Sequence, residues 1–267
     1  VVYHVAGVTR AKDWETFYRA NVQATLNLMG AVRQANPDVD RVLVTSTLAA
    51  VGNCPETIAT EATPLRPISM YGRSKAEMER VLQQKHDMPA SYAEQLPITI
   101  VRPPAVYGPR DRDILTFFQA VKKGFCPVVG SGKTPALSLV HVRDLVRGMV
   151  DAAEHAAAAG ETYFIGSERA YAWDEVKRAA TKALDRWAVT VPVPGVLVET
   201  VGAAVEWWGD LAGTYPPLNR EKAREIRRAC KICSVEKAKH DFGYEQRVPL
   251  EDGVKETVAW YEEQGWL

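Results

Sequence analysis

The chain opens "VVYHVAGVTRA", Val1 to Ala11. Val1 to Val5 is an apolar, largely β-branched run and reads as a strand, and Ala6 and Gly7 turn the chain out of it. A run this apolar belongs in the middle of a sheet with helices on both faces. The next stretch, Trp14 to Gln34, is helical in pattern, with Phe17, Val22, Leu26, Leu28 and Val32 apolar. The same alternation then repeats. "RVLVTS" (Arg41 to Ser46) is a second strand, and Pro67 to Lys85 is helical. "PITIVRPP" (Pro97 to Pro104) is a third strand that proline ends, and Ile114 to Lys123 is a helix. "CPVVG" and "LSLVHV" are strand-like, a helix runs from Arg143 to about Ala158, and "TYFIG" (Thr162 to Gly166) is a further strand. Strands separated by helices of this length predict βαβ units, an α/β fold and a mostly parallel sheet. After Gly166 the pattern turns helical, with breaks at Pro192, Pro194, Pro216 and Pro217. We therefore expect two parts, 1–166 and 167–267, the second a smaller, mostly helical lobe that interleaves with the first. The last helix runs from Leu250 to Gln264.

Composition narrows the function. Of 267 residues, 46% are hydrophobic and 25% charged, which is that of an ordinary soluble globular chain. The net charge is zero. With no basic stripe, nucleic acid is not an expected partner. Four cysteines (Cys54, Cys126, Cys230, Cys233) do not form a disulfide framework and suit a reducing compartment, the cytoplasm. Cys230 and Cys233 have no second ligand pair, so no metal is expected; they read as two small residues at the start of a helix. "GVLVETVGAAVEWWGDLAG" (Gly195 to Gly213) is interrupted by Glu199, Glu206 and Asp210 and falls short of a membrane span. It reads as an amphipathic helix packed on the core. A substrate lid, or a membrane-surface contact near Trp207 and Trp208, is the alternative.

The residues with chemistry gather around "MYGRSKAEMERV". Tyr71 and Lys75 are four apart and share a helix face. A phenol titrates near 10 and is a poor acid or base at neutral pH. A cation held alongside lowers that value, so the tyrosine can exchange a proton with a carbonyl or alcohol oxygen. Taken alone the pair is common by chance, and a solvated helix face explains it as well. Thr45, Ser46 and Thr47 add context, because they lie where the second strand ends, and sites in open α/β sheets form at the carboxyl ends of strands. Thr47 can hydrogen-bond a substrate oxygen, or simply cap a turn.

"HVAG", "NVQATLNL", "VTSTLAAVG", "YGRSKAEME", "RPPAVYGPRD" and "LVHVRDL" occur in that order. They resemble the successive motifs of the extended short-chain dehydrogenase/reductase superfamily, also called the NAD-dependent epimerase/dehydratase family, across nearly the whole chain. The resemblance implies a Rossmann-type, doubly wound parallel sheet that binds NAD or NADP, and an enzyme acting on a carbon–oxygen bond of a small-molecule substrate. It makes Tyr71 the general acid-base residue, and gives Lys75 the nicotinamide ribose and the tuning of the tyrosine. It matches Thr47 to the catalytic hydroxyl. Val5, Ala6, Gly7 and Thr9 match the loop beside the cofactor, with Thr45 and Ser46 at the next strand end. Asn21 matches a supporting asparagine. Pro104, Ala105 and Val106 match the segment that packs on the nicotinamide. His141 and Asp144 match a further motif, although a core histidine and a helix cap explain them equally well. A homodimer through the helix bearing Tyr71 is implied by the resemblance alone.

One departure is large. The superfamily begins with a strand, a Gly-rich turn and a helix whose N-terminus holds the pyrophosphate. No G-x-x-G-x-x-G occurs in this sequence, which opens at what the resemblance makes the fourth strand. The expectation is that an N-terminal segment carrying those elements, and the residue that chooses NAD or NADP, precedes Val1.

Leu48 and Ala49 stand where dehydratases carry an acid pair, which argues against dehydration. "GSGKTPALSLVHV" offers Lys133 but no arginine for a nucleotide-sugar phosphate. Arg220 and Arg224 fit a diphosphate or an exposed helix equally well. The later motifs look like the dihydroflavonol-reductase and 3β-hydroxysteroid-dehydrogenase branch. The expected activity is therefore alcohol–ketone (or aldehyde) oxidoreduction on a small hydrophobic substrate. The alternatives are a nucleotide-sugar 4-epimerase and a non-catalytic dinucleotide-binding regulator.

Overall fold

A computed structural model describes residues 1–54, 58–85, 90–129, 135–193 and 228–267. Four parallel strands form the main sheet: β1 (Val2–His4), β2 (Val42–Thr45), β3 (Ile98–Val101) and β8 (Thr162–Tyr163), in the order β1-β2-β3-β8. His4, Val44 and Ile100 lie side by side, so the first three strands end together at one carboxyl edge.

Side-chain alternation along β2 makes the sheet two-sided. Val42 and Val44 pack with Val22, Met29, Met78 and Leu82. Those residues come from a π-helical turn (Tyr18–Gln23), α2 (Ala24–Ala35) and α3 (Met70–Gln83). Leu43 points the other way, into a cluster with Leu145 and Met149 of α6 (Val142–Glu154). Helices on both faces explain why these strands are mostly apolar, and the arrangement is that of a doubly wound α/β sheet.

Local chemistry sets the helix starts. Ser69 caps α3 by accepting from the Gly72 N–H at 3.1 Å. His141 caps α6 with its Nδ1. Pro103 and Pro104, which lack an N–H, follow the end of β3.

A third apolar cluster joins distant parts of the chain. Phe118 of α5 (Leu115–Lys122) and Cys126 and Val128 of β5 (Phe125–Val129) pack with Val176 of α7 (Trp173–Ala183). Val254, Val258 and Tyr261 of α9 (Leu250–Glu263) complete it. Three strand pairs surround these elements: β4 (Ala105–Tyr107) with β7 (Leu139–His141), β6 (Pro135–Leu137) with β9 (Tyr171–Ala172), and β5 with β10 (Val189–Val193).

Several expectations are corrected. The helix expected over Trp14 to Gln34 is not uniformly α: α1 (Trp14–Phe17) passes into the π-helical turn before α2. Cys54 and Cys230 are joined in a disulfide with their Cα atoms 5.6 Å apart, across 176 residues of sequence. Local spacing cannot show a pair that distant. Cys233 lies in a bridge with Ala59, ahead of α8 (Glu236–Phe242), while Cys126 and Cys233 are buried free thiols. The amphipathic stretch 195–213, Lys133, Arg220 and Arg224 lie outside the described residues.

Candidate active site

The carboxyl edge of β1, β2 and β3 gathers most of the expected residues. α3 carries Tyr71 and Lys75 one turn apart. Lys75 is 5% exposed. Its ammonium reaches back to β2 and donates to the Thr45 carbonyl oxygen at 2.8 Å. Burial pulls its pKa down to about 8, and the Glu79 carboxylate one turn further on opposes that shift. Tyr71 is half-buried, with its ring centroid 6.3 Å from that of Phe17.

Asn21 ties three elements together. Its Oδ1 accepts from the Val8 N–H at 2.8 Å, and its Nδ2 donates to the Val8 carbonyl and the Ser74 hydroxyl, each at 2.9 Å. Ser74 in turn donates to the Tyr71 carbonyl at 2.8 Å. The π-helical turn presents Asn21, and Thr25 holds that turn by donating to the Asn21 carbonyl. His4 of β1 bonds the Thr25 hydroxyl at 2.7 Å. Burial, and then the nearby Lys75 charge, lower the His4 pKa below the ordinary imidazole value.

Val5, Ala6, Gly7 and Thr9 leave their backbone open at the end of β1. A Cβ on Gly7 would lie 2.8 Å from Asn21 Oδ1 and 3.4 Å from Lys75 Nζ. That is the close backbone approach for which glycine is suited. Ala105 is exposed, Val106 is half-buried, and Pro104 is buried against Gly166. Val5, Ala6, Gly7 and Ala105 are exposed and small or apolar, a character that suits the flat, partly apolar face of a nicotinamide.

Thr47 starts the short 3₁₀ turn Leu48–Ala50 and accepts from the Ala49 N–H at 3.2 Å. Its hydroxyl keeps its own proton to donate. The Leu48 N–H donates to the Pro103 carbonyl at 2.9 Å, so the turn bearing Thr47 is fastened to the chain entering β4. Thr45 Oγ1 is buried with no hydrogen-bond partner among the described residues. Ser46 turns away. Its hydroxyl binds Glu79, which also takes a bidentate contact from Arg102. His141 and Asp144 are buried, and Asp144 accepts from the backbone N–H groups of Arg247 and Val248, which anchors the segment before α9.

The residues that sequence reading missed are the supports: His4, Thr25, Ser74, Glu79 and Arg102. Ser74 and Glu79 flank Lys75 in α3, and only the fold shows what they face.

Comparison with known proteins places the chain in a family. Residues 1–166 match the model of the NAD dependent epimerase/dehydratase family. The chain is 30% identical to a ceramide reductase of Caulobacter vibrioides, over 100% of this chain and 75% of that protein. It is 26% identical to a 3-beta-hydroxysteroid dehydrogenase of Mycolicibacterium neoaurum, over 96% of this chain and 71% of that one. Among solved structures, that of gox2253 superposes with a TM-score of 0.73 at 28% identity, covering 99% of this chain and 79% of that one. The chain belongs to the NAD dependent epimerase/dehydratase family, as a nicotinamide-dinucleotide-dependent oxidoreductase of the extended short-chain type.

Proposed function

We propose that the protein interconverts an alcohol and a ketone or aldehyde on a small, hydrophobic substrate, with Tyr71, Lys75 and Thr47 as the reacting set. The observation that carries this reading is the buried Lys75 ammonium, anchored on the Thr45 carbonyl one turn from Tyr71. A nicotinamide dinucleotide, when bound, supplies the hydride acceptor or donor. Val5, Ala6, Gly7, Thr9, Thr45, Pro104, Ala105 and Val106 are the residues proposed to border it, and Ser46 only through its backbone, since its hydroxyl is bound to Glu79.

The chain's own groups handle the proton. Tyr71 exchanges it with the substrate oxygen as general acid or base. Positive charge on Lys75 favours the phenolate form of a neighbouring tyrosine, and its position at the strand end suits a hydrogen bond to a ribose hydroxyl. Thr47 donates to the same substrate oxygen and fixes its direction. Asn21 holds the Gly7–Val8 backbone against α3 through Val8 and Ser74, so that the edge and the tyrosine keep one relative position.

A hydrophobic substrate is supported by two relatives, one named for ceramide and one for a hydroxysteroid. The division into a dinucleotide part, 1–166, and a substrate lobe, 167–267, belongs to the same proposal. So do a homodimer through α3, which rests on the family resemblance, and a cytoplasmic location, which rests on the cysteine usage and is opposed by the Cys54–Cys230 disulfide. The test is an absorbance assay of NADH and NADPH with a panel of lipid-like alcohols and ketones and of nucleotide sugars. Net cofactor turnover with the former is expected. Conversion of the sugars alone, with no net cofactor change, would establish a 4-epimerase instead. Dinucleotide binding with no turnover of any substrate would establish a regulator.

A further inference from the structure

A second surface lies apart from Tyr71 and Lys75. In the β5–β10 pair, Phe125 stands opposite Val189 and Pro127 opposite Val191. Strand alternation sends Cys126 and Val128 inward and leaves the other face in solvent. Phe125 is 58% exposed, Val189 52%, Val191 39%, and Trp187, just before β10, 76%. The patch is one piece, because the Val189 N–H donates to the Gly124 carbonyl at 2.9 Å and closes the strand ends together.

Beside it runs a groove of about 700 Å³ whose wall includes Trp187 and five cations: Lys122, Lys123, Arg178, Lys182 and Arg186. One carboxylate, Asp185, lines it with them. Lys182 is paired with Glu251 at 2.7 Å and Arg178 interacts with the Glu175 and Glu251 carboxylates, whereas Lys122, Lys123 and Arg186 form no ion pair among the described residues. The ends of α5 and α7 favour a cation or two there. They do not account for three unpaired ones on a chain of zero net charge, nor for an exposed tryptophan set among them.

We propose that this face docks on an anionic lipid bilayer. An exposed tryptophan and phenylalanine beside an unpaired basic rim match the interfacial chemistry of a membrane surface: aromatic rings enter the headgroup level and cations meet lipid phosphates. A second copy of the chain fits worse. A self-complementary contact would set the same cations against each other. Four apolar side chains are also far fewer than the roughly 20–30 residues a side of a stable protein interface. Docking here is independent of the dinucleotide site, since none of the groove or patch residues belongs to it.

The experiment is sedimentation of the full chain with vesicles of phosphatidylcholine alone and of phosphatidylcholine mixed with phosphatidylglycerol. Binding is expected to the mixed vesicles only, and to be reversed by salt. Lys122→Glu with Lys123→Glu, and separately Trp187→Ala, should each weaken it by about tenfold or more. Far-ultraviolet circular dichroism and cofactor turnover in solution should match the parent protein for both variants. Absence of binding to mixed vesicles, equal binding to both kinds, or unchanged binding of the variants would each overturn the proposal. A concentration-dependent dimer that Trp187→Ala abolishes, without vesicle binding, would assign the face to self-association instead.

Discussion

The Lys75 ammonium donates to the Thr45 carbonyl oxygen at 2.8 Å, and so ties α3 to the end of β2. This places a positive charge in a nearly water-free position at the carboxyl edge of the sheet. The fall of its pKa from 10.5 to about 8 corresponds to a cost on the order of 3 kcal/mol for keeping it charged.

That cost has a definite pH dependence. The folded-state pKa lies below the unfolded value, so between about pH 8 and 10.5 the unfolded chain binds more protons. Stability from this group therefore rises with pH across that window, and the full cost applies below it. Lys75→Met removes the charge. The variant should unfold at a denaturant concentration no lower than the parent's near neutral pH, with the difference shrinking from pH 8 to 10.5, while turnover is lost. A variant that is less stable near neutrality, and whose deficit does not vary with pH, would contradict the assigned origin of the shift.

Tyr71→Phe should lower kcat by about 10²- to 10⁴-fold, the usual worth of a positioned proton donor or acceptor. Fluorescence titration with NADH or NADPH should show unchanged affinity. Retained turnover would remove Tyr71 from its proposed role.

Gly7→Val should disable the site through crowding. Its Cβ would meet Asn21 Oδ1 at 2.8 Å before any larger branch is placed, and overpacking of this kind costs about 1–3 kcal/mol. Cofactor affinity is expected to fall with it, read by the same titration. Asn21→Ala should relieve the clash and restore part of the lost stability without restoring activity.

Glu79 and Arg102 form a buried pair at 2.5 Å beneath the same edge. Glu79→Leu alone strands a buried guanidinium and should cost about 3–5 kcal/mol in chemical unfolding. Glu79→Leu combined with Arg102→Met should recover most of that loss. If the double variant is as unstable as the single one, the pair is stabilising in its own right rather than merely compensated.

The sequence displays this fold where local pattern and tertiary demand coincide. The runs at Val42–Thr45 and Ile98–Val101 are apolar but for Thr45 and Thr99 because both faces are covered, and Ser69 marks the start of α3. The Tyr71–Lys75 spacing is a helical property, so it too was readable. Partners far apart in sequence were not. Nothing near Ser46 announces Glu79, nothing near His4 announces Thr25, and Cys54 meets Cys230 across 176 residues. The π-helical turn is invisible to a 3.6-residue period, since Phe17 and Val22 both remain on the buried side of it.

That turn makes this helix sensitive to chain length. Deleting one residue between Tyr18 and Gln23 would allow ordinary α spacing to continue. Each residue advances an α-helix by roughly 100°, so the deletion would also swing Asn21 away from Val8 and Ser74 while α2 kept its buried stripe. Substitutions here are local events, but a change of length rewires the edge where β1, the π-helical turn and α3 meet.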